Sequence, residues 1–472
     1  MARQKVVLYN PKAVFYDMPL ALLAIASMLD SEHYEVVIID GRIHRKPLQA
    51  VIEACEGALC LGVTSLTGNP LRDALTVTRQ ARASYPKLPI IWGGWHTSLF
   101  PEETLRDEPA IDVSVQGQGE ATFRELVACL QSGADLSHVN GICYRTKEGD
   151  IVKNPGRALE DMNFLPRVNY DLIDVEAYFK AKKRPQFDYI SSTGCRFRCT
   201  FCADPFVFSR KWTAIEPDRM GEELEYWYRK YAFTDINFQD ETFFTKRQRV
   251  TRIGQEFLER GIQSSWAGTM RADQGARMSE EEFDICKAAG LRRVLVGVES
   301  GSQEMMDWLS KDIKISQVYE TAERCAERDI NVIFPFIVGF PGETNQSVRD
   351  SLRVARELNG MHPGFTTPIF FFKPYPGSKI TQDVVSQGYQ LPQTIEEWAD
   401  FDYIGSSGPW VSPEKYRMVE RFKFYNKLAG RRSQWLLAPL QKLAAWRCDT
   451  LRFEWPLEKF LAEQLLPSQQ LS

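Results

Sequence analysis

Short, almost continuous apolar runs alternate with amphipathic stretches from the start of the chain. The runs Lys5–Tyr9, Glu35–Asp40, Leu59–Thr64, Pro89–Trp92 and Val113–Gln116 predict strands, and Leu20–Leu29 and Leu71–Ser84 carry helical spacing between them. Strands that are apolar on both faces and separated by helices predict a parallel sheet covered on both sides, a doubly wound Rossmann-like (flavodoxin-like) domain over residues 1–140. Asn140–Arg157 reads as a strand, a turn at Glu148-Gly149-Asp150 and a second strand, and Asn163–Asp171 as a connector, giving a linker over 141–182. A second series of strands follows at Phe187–Ser191, Asp235–Gln239, Ser265–Met270, Arg293–Val298, Asn331–Val338 and Phe365–Phe372. Helical patterns at Asp218–Lys230, Glu280–Ala289, Ile315–Arg328 and Thr344–Leu358 separate them. Repeated strand–helix units predict a partial (β/α)6 barrel over 183–380. The remainder, 381–472, reads as a carboxyl-terminal helical domain, with Lys415–Lys427 and Arg431–Trp446 as helices and Trp435, Trp446 and Trp455 along it. Its expected place is the open side of the barrel, as a cap or a hydrophobic substrate lid. Arg431-Arg432 fits a solvated turn better than a site for an acidic substrate group.

The small and polar residues gather where the strands end, which is where α/β sheets and barrels place their ligands. In the first half these are Thr64-Ser65-Leu66-Thr67-Gly68, Gly93-Gly94-Trp95-His96-Thr97 and Gly117-Gln118-Gly119-Glu120. Glycines there let backbone approach a bulky ligand, and hydroxyls can donate to its polar groups. A dinucleotide site is disfavoured, because the first strand leads into Tyr9-Asn10-Pro11-Lys12-Ala13-Val14 and not into G-x-G-x-x-G.

In the second half the first strand runs into Cys195-Arg196-Phe197-Arg198-Cys199-Thr200-Phe201-Cys202. Thiolates are soft ligands suited to iron–sulfur clusters, zinc or cuprous copper. A structural zinc would need a fourth Cys or His nearby, and none follows. Three thiols on a four-iron cluster leave one iron open for chemistry.

This C-x-x-x-C-x-aromatic-C spacing resembles the radical S-adenosylmethionine (SAM) superfamily. The preceding half, through Gly93-Gly94-x-His96 and Gly117-x-Gly119-Glu120, resembles the cobalamin-binding domain found ahead of that barrel in one large subfamily. The resemblance covers about residues 1 to 380. It implies a 4Fe-4S cluster on Cys195, Cys199 and Cys202, with Phe201 packed beside it and SAM on the open iron. It implies Asp240 and Glu241 at the SAM ammonium, Arg271 at a carboxylate of SAM or substrate, Glu299 at the ribose hydroxyls with Ser300 close by, and Gly339 in the adenine-side loop Val338–Thr344. That loop reads equally as a turn and a helix start capped by Thr344. Pro374-Tyr375-Pro376-Gly377-Ser378 falls near the substrate in such enzymes. Cobalamin contacts are implied at Thr64, Ser65, Thr67, Gly93, Gly94, His96, Gly117, Gly119 and Glu120.

The chain departs from the pattern in one place. Many cobalamin domains carry D-x-H-x-x-G, whose His ligates cobalt from below. Here Asp40-Gly41-Arg42-Ile43-His44-Arg45 puts Arg42 in that slot. Arginine keeps its proton and cannot ligate in that form. The expectation is a cobalamin without histidine coordination, with Arg42 near its lower face and His44 as a weaker candidate ligand.

The resemblance implies a methyltransferase that passes a methyl group from SAM through methylcobalamin to a substrate carbon after forming a 5′-deoxyadenosyl radical. Non-methylating members, such as oxygen-independent cyclases and ring-contracting enzymes, are the alternative. Two further variants are polar methyl transfer from unligated cobalamin and a sensor that has lost chemistry. The expected partners are a small-molecule or natural-product substrate and an electron donor such as flavodoxin or ferredoxin.

Composition changes this picture little. A net charge of −4 disfavours a general nucleic-acid surface, and no apolar run reaches the roughly 20 residues a membrane span needs. The segment Met1–Lys5 runs straight into the first strand with no signal-peptide pattern. Ten cysteines in 472 residues are too sparse for a secreted disulfide scaffold, so a reducing cytoplasm is expected. The seven outside the loop read as small buried hydrophobes.

Overall fold

A computed structural model describes residues 3–401, 408–430, 438–454 and 458–459. Arg431, Arg432, Trp435 and Trp455 therefore lie outside the described residues.

The first sheet contains β1 (Gln4–Asn10), β2 (Tyr34–Asp40), β3 (Ala58–Thr64), β4 (Ile90–Gly93), β5 (Val113–Val115), β6 (Ile142–Arg145) and β7 (Ile151–Lys153). Its order is β2-β1-β3-β4-β5-β6-β7, with β1 to β5 parallel. This is the flavodoxin-like order, whose direction reverses between β1 and β3. Helices cover both faces, so Val6, Val7, Leu8 and Tyr9 are all fully buried and the strand is apolar at successive positions. The hairpin expected between Asn140 and Arg157 pairs antiparallel with β5 and lengthens this sheet. The segment joining the two sheets begins only after Lys153.

The second unit contains β8 (Gln186–Tyr189), β9 (Ser192–Gly194), β10 (Trp212–Ala214), β11 (Asp235–Phe238), β12 (Ser265–Met270), β13 (Leu291–Val296), β14 (Asn331–Ile333), β15 (Phe336–Val338), β16 (Phe365–Thr366) and β17 (Ile369–Phe371). The main sheet is parallel, in the order β16-β14-β13-β12-β11-β8, and β15 pairs with β17 beside it, so the barrel is open. Two strands expected to be continuous are each broken, at Pro335 and at Pro368. Proline lacks the N–H a ladder needs, so the sheet bends where both prolines fall. The bend is bridged by Phe336 N–H donating to the Pro368 carbonyl at 2.9 Å.

The helices Pro413–Ala429 and Ala438–Thr450 pack on each other and on the helix Asn345–Met361. Tyr416 stacks on Phe371 of β17 with ring centroids 5.1 Å apart. The described part of the tail thus covers the β17 flank of the second unit. The shorter helix Ile395–Ala399 turns back to the first unit, where Ile395 N–H donates to Asp107 at 2.9 Å.

The two units are bonded directly. Asp188 of β8, fully buried, accepts from the Met18 N–H at 2.8 Å and from Lys182. Tyr178 donates to Asp40 across 2.7 Å. Their carboxyl strand ends consequently share the space between them.

Candidate functional site

Both ends of the cysteine loop are stapled, because β9 before it pairs antiparallel with β10 after it. Gly194 makes the entry. Its φ is +82°, and a Cβ there would sit 2.4 Å from the Lys211 carbonyl oxygen, so only glycine fits. Farther along, Thr200 N–H donates to the Leu309 carbonyl at 3.0 Å, and Arg198 forks onto Asp312 with two 2.8 Å bonds. The loop is held by its surroundings before any ligand arrives.

Cys195, Cys199 and Cys202 are free and half-buried. Burial pushes the Cys195 thiol up to about 11, and the charges of Asp204 and Cys199 push the same way. Cys202 is pushed higher still, by burial, then Asp204, then the other two thiols. Each thiol adds to the upward push on its neighbours, and metal binding must displace protons from them. Among the described residues no three Cys, His, Asp or Glu side chains converge on one point as a single ion requires. Three thiolates are a soft donor set of the kind that iron–sulfur clusters take.

Cations stand behind this loop. Arg271 Nη1 is 3.6 Å from Cys199 Sγ, and its guanidinium lies 3.8 Å above the Phe197 ring. Arg271 also bonds Asp273 at 3.0 Å and the Lys311 carbonyl. Lys311 Nζ donates to Glu299 Oε1 at 2.6 Å and sits 5.7 Å from the Phe201 ring, which packs against Phe340. Burial would lower the Lys311 pKa, but the charges of Glu299 and Cys199 outweigh it and hold the ammonium protonated. Lys311 was invisible to motif reading, since it follows a helix and not a strand.

Two cavities meet this region. One is lined by Phe201, Cys202, Asp204 and Glu299 from the second unit and by Leu66 and Trp95 from the first. Trp95 meets Phe208 edge-on, ring centroids 5.9 Å apart. The other runs between the helix Leu20–Ala26 and the ends of β3, β4 and β5, with a void of about 1320 Å³ counted out to its mouth. Its walls include Thr64, Gly93, Gly94, Gly117, Gly119 and Glu120, and from the other unit Thr193 and Glu241. The glycines leave it broad. A Cβ on Gly93 would meet only Val115 at 3.8 Å.

Residues 189–355 match the radical SAM superfamily and residues 7–127 match the B12 binding domain. An uncharacterized methyltransferase of Pyrococcus horikoshii is 29% identical over 85% of this chain and 86% of its own length. An anaerobic magnesium-protoporphyrin IX monomethyl ester cyclase of Synechocystis is 26% identical over 70% of this chain and 66% of its own. The radical SAM methyltransferase TsrM from Kitasatospora setae, solved with cobalamin and a 4Fe-4S cluster bound, shares the fold with a TM-score of 0.72. The likeness covers 95% of this chain and 99% of that one at 15% identity. The chain belongs to the cobalamin-dependent radical SAM enzymes. Its cofactors are a 4Fe-4S cluster, SAM and cobalamin.

For a member of these enzymes, several candidate residues sit away from both cavity walls. Asp240 is 2% exposed and accepts from the Ser191 N–H at 3.1 Å and from the Ser191 and Ser192 hydroxyls, so it braces the start of the cysteine loop. Ser300 is spent on Ser351 at 3.1 Å and on the Ser302 N–H. Ser65 donates to the Gly93 carbonyl at 2.9 Å. His96 is buried against Thr67, with Nδ1 3.0 Å from its hydroxyl, and burial pulls its pKa down to about 3. Gly339 donates its N–H to Glu343 and takes the Trp410 indole N–H on its carbonyl at 2.6 Å. Thr344 does cap the following helix, bonding the Ser347 N–H at 3.1 Å. Arg42 pairs with Asp40 at 3.8 Å and donates to the Asp17 carbonyl at 2.8 Å, and His44 bonds the Asp40 backbone.

Glu241 behaves differently from its neighbour. Its Oε2 is buried without a hydrogen-bond partner among the described residues, and burial with the charge of Asp204 pushes its pKa up to about 8. Gln118 Nε2 is likewise unpartnered at the same cavity. Unsatisfied polar atoms beside a cavity mark places where a ligand's own groups complete the bonding. Outside the site, Cys55, Cys60, Cys143, Cys286, Cys325 and Cys448 are buried as small hydrophobes, and Cys129 is half-buried. No described helix is long and apolar enough to cross a membrane.

Proposed function

We propose that the protein transfers a methyl group from SAM, by way of cobalamin, to a carbon of a small-molecule substrate. The observation that carries this reading is the shared cavity, in which Cys202 and Glu299 face Leu66 and Trp95 of the cobalamin-type domain. Two cofactors held by different units can act on one substrate only if their pockets open onto common space.

Cys195, Cys199 and Cys202 would hold the cluster, Glu299 the ribose of SAM, and Glu241 its ammonium group. Arg271 and Lys311 stand where a carboxylate and the anionic thiolate set need positive charge. The glycines at 93, 94, 117 and 119 would take the corrin and its tail into the broad cavity. Bound together, these groups supply a one-electron cleavage of SAM and a methyl carrier, chemistry that side chains lack. The chain's own residues orient the partners and keep water away. Trp95, Phe201 and Phe372 make the shared cavity largely apolar, which protects reactive species from solvent.

Anaerobically reconstituted protein, supplied with a low-potential reductant such as reduced flavodoxin and with methyl-deuterated SAM, should release S-adenosylhomocysteine and deposit the label on a compound of a small-molecule extract. Formation of 5′-deoxyadenosine with no S-adenosylhomocysteine would favour instead the non-methylating chemistry named for the Synechocystis relative. S-adenosylhomocysteine alone would favour polar transfer.

A further inference from the structure

The cysteine loop has an outer face as well as an inner one. Arg196, Arg210, Lys211 and Lys246 are all exposed around it, and Arg196 directly follows Cys195. Contacts join the four into a closed ring. Arg210 Nε lies 3.5 Å from the Arg196 carbonyl, and Arg196 Nη2 donates to the Thr245 carbonyl at 3.2 Å. Lys246, next in the chain, sets its ammonium 5.2 Å from the Trp212 ring, and Lys211 precedes Trp212. Trp212 in turn pairs with Gly194 at the loop entry.

Among the described residues none of these four cations belongs to an ion pair, whereas Arg198 beside them is matched by Asp312. Like charges without partners repel one another, and this ring stands on a chain whose net charge is −4. The turn that presents Arg210 is costly as well. Ser209 and Arg210 both adopt left-handed backbone, with φ of +51° and +58°. Residues other than glycine hold that conformation only where their surroundings enforce it. Here Phe208, packed edge-on against Trp95, and the strand β10 bracket the turn.

We propose that this ring is the docking surface for an acidic, low-potential flavodoxin that delivers single electrons to the cluster. The flavin hydroquinone loses one electron and becomes the semiquinone, and the oxidised cluster gains it. This rests on the reading of Cys195, Cys199 and Cys202 as cluster ligands. Electron-transfer encounters are small and short-lived, so complementary charge supplies their speed and orientation. The ring surrounds the loop that bears the thiols, so a carrier seated on it is brought to the cluster's side of the molecule.

Binding of oxidised flavodoxin to the cluster-loaded protein, followed by biolayer interferometry at low salt, reads the surface directly. The double variant Lys211→Glu/Lys246→Glu should weaken it by about tenfold or more, and slow cluster reduction by flavodoxin hydroquinone by a similar factor. Iron and sulfide content, and the rate of cluster reduction by methyl viologen radical, should not fall. Arg210→Gln, a milder single change, should act in the same direction, and it stands in should the double variant fail to fold. Lys87→Glu alters an exposed cation of the first unit and should change neither binding nor reduction. Unchanged flavodoxin binding in both ring variants, an equal loss in Lys87→Glu, or loss of reduction by the viologen as well overturns the docking surface. So does a short RNA that binds more tightly than flavodoxin and loses that binding in the same variants. A full cluster in Cys195→Ala would instead overturn the ligand reading, and flavodoxin binding would still judge the surface.

Discussion

Lys311 Nζ lies 2.6 Å from Glu299 Oε1, and the two side chains are only 7% and 9% exposed. Glu299 also adopts a left-handed backbone, φ +68°, at the end of the fourth strand of the main sheet. A buried pair of this kind contributes less to net stability than to geometry, because desolvation offsets the attraction. Here it aims one carboxylate of the shared cavity.

Removing one partner leaves the other charge stranded. Lys311→Met should cost about 3–5 kcal/mol in chemical denaturation. SAM affinity, measured by calorimetry on the cluster-loaded protein, should fall along with it. Wild-type values for both would show that Glu299 is positioned by other means.

Gly194 admits no side chain. Gly194→Ala should destabilise by about 1–3 kcal/mol through backbone strain and the clash with the Lys211 carbonyl. It should also lower iron retention after reconstitution, because the first cysteine follows directly. Normal iron content together with normal stability would contradict this account of the loop entry.

Each of Cys195→Ala, Cys199→Ala and Cys202→Ala should abolish the broad cluster absorbance and SAM cleavage. Cobalamin uptake should persist, since the cavity proposed for it lies on other residues. Retention of a full cluster by any one variant would remove that cysteine from the ligand set.

His96 supplies a pH signature. Its ordinary pKa near 6.5 falls to about 3 on burial, so the unfolded chain binds this proton more readily. Its contribution is complete above about pH 6.5 and drains away as pH falls toward 3. Between pH 7.5 and 5 wild type should lose about 2 kcal/mol from this group, and His96→Leu should flatten that loss in parallel urea titrations. Equal slopes would mean that the imidazole takes up its proton as readily in the fold as in the unfolded chain.

Reading along the chain worked where a signal is local. The cysteine spacing, the doubly apolar strands and the glycines at strand ends each depend on a few adjacent residues, and the structure places Gly93, Gly94, Gly117 and Gly119 together on one cavity. It worked less well where identical residue types have different tasks. Asp240 and Glu241 are neighbours with equal claims to a ligand, yet only packing shows Asp240 spent on Ser191 and Ser192 while Glu241 keeps an unpartnered oxygen.

Sequence by itself therefore determined which chemistry the chain can hold, because thiol number, spacing and strand periodicity are properties of neighbours. Tertiary structure alone decided which polar groups face the cavities, that Lys311 stands beside Glu299, and that the connector at Leu165, Pro166 and Val168 forms a wall of the broad cavity. Those outcomes depend on which separate segments desolvate one another, and side-chain partnership across 12 to 142 residues leaves no trace in local pattern.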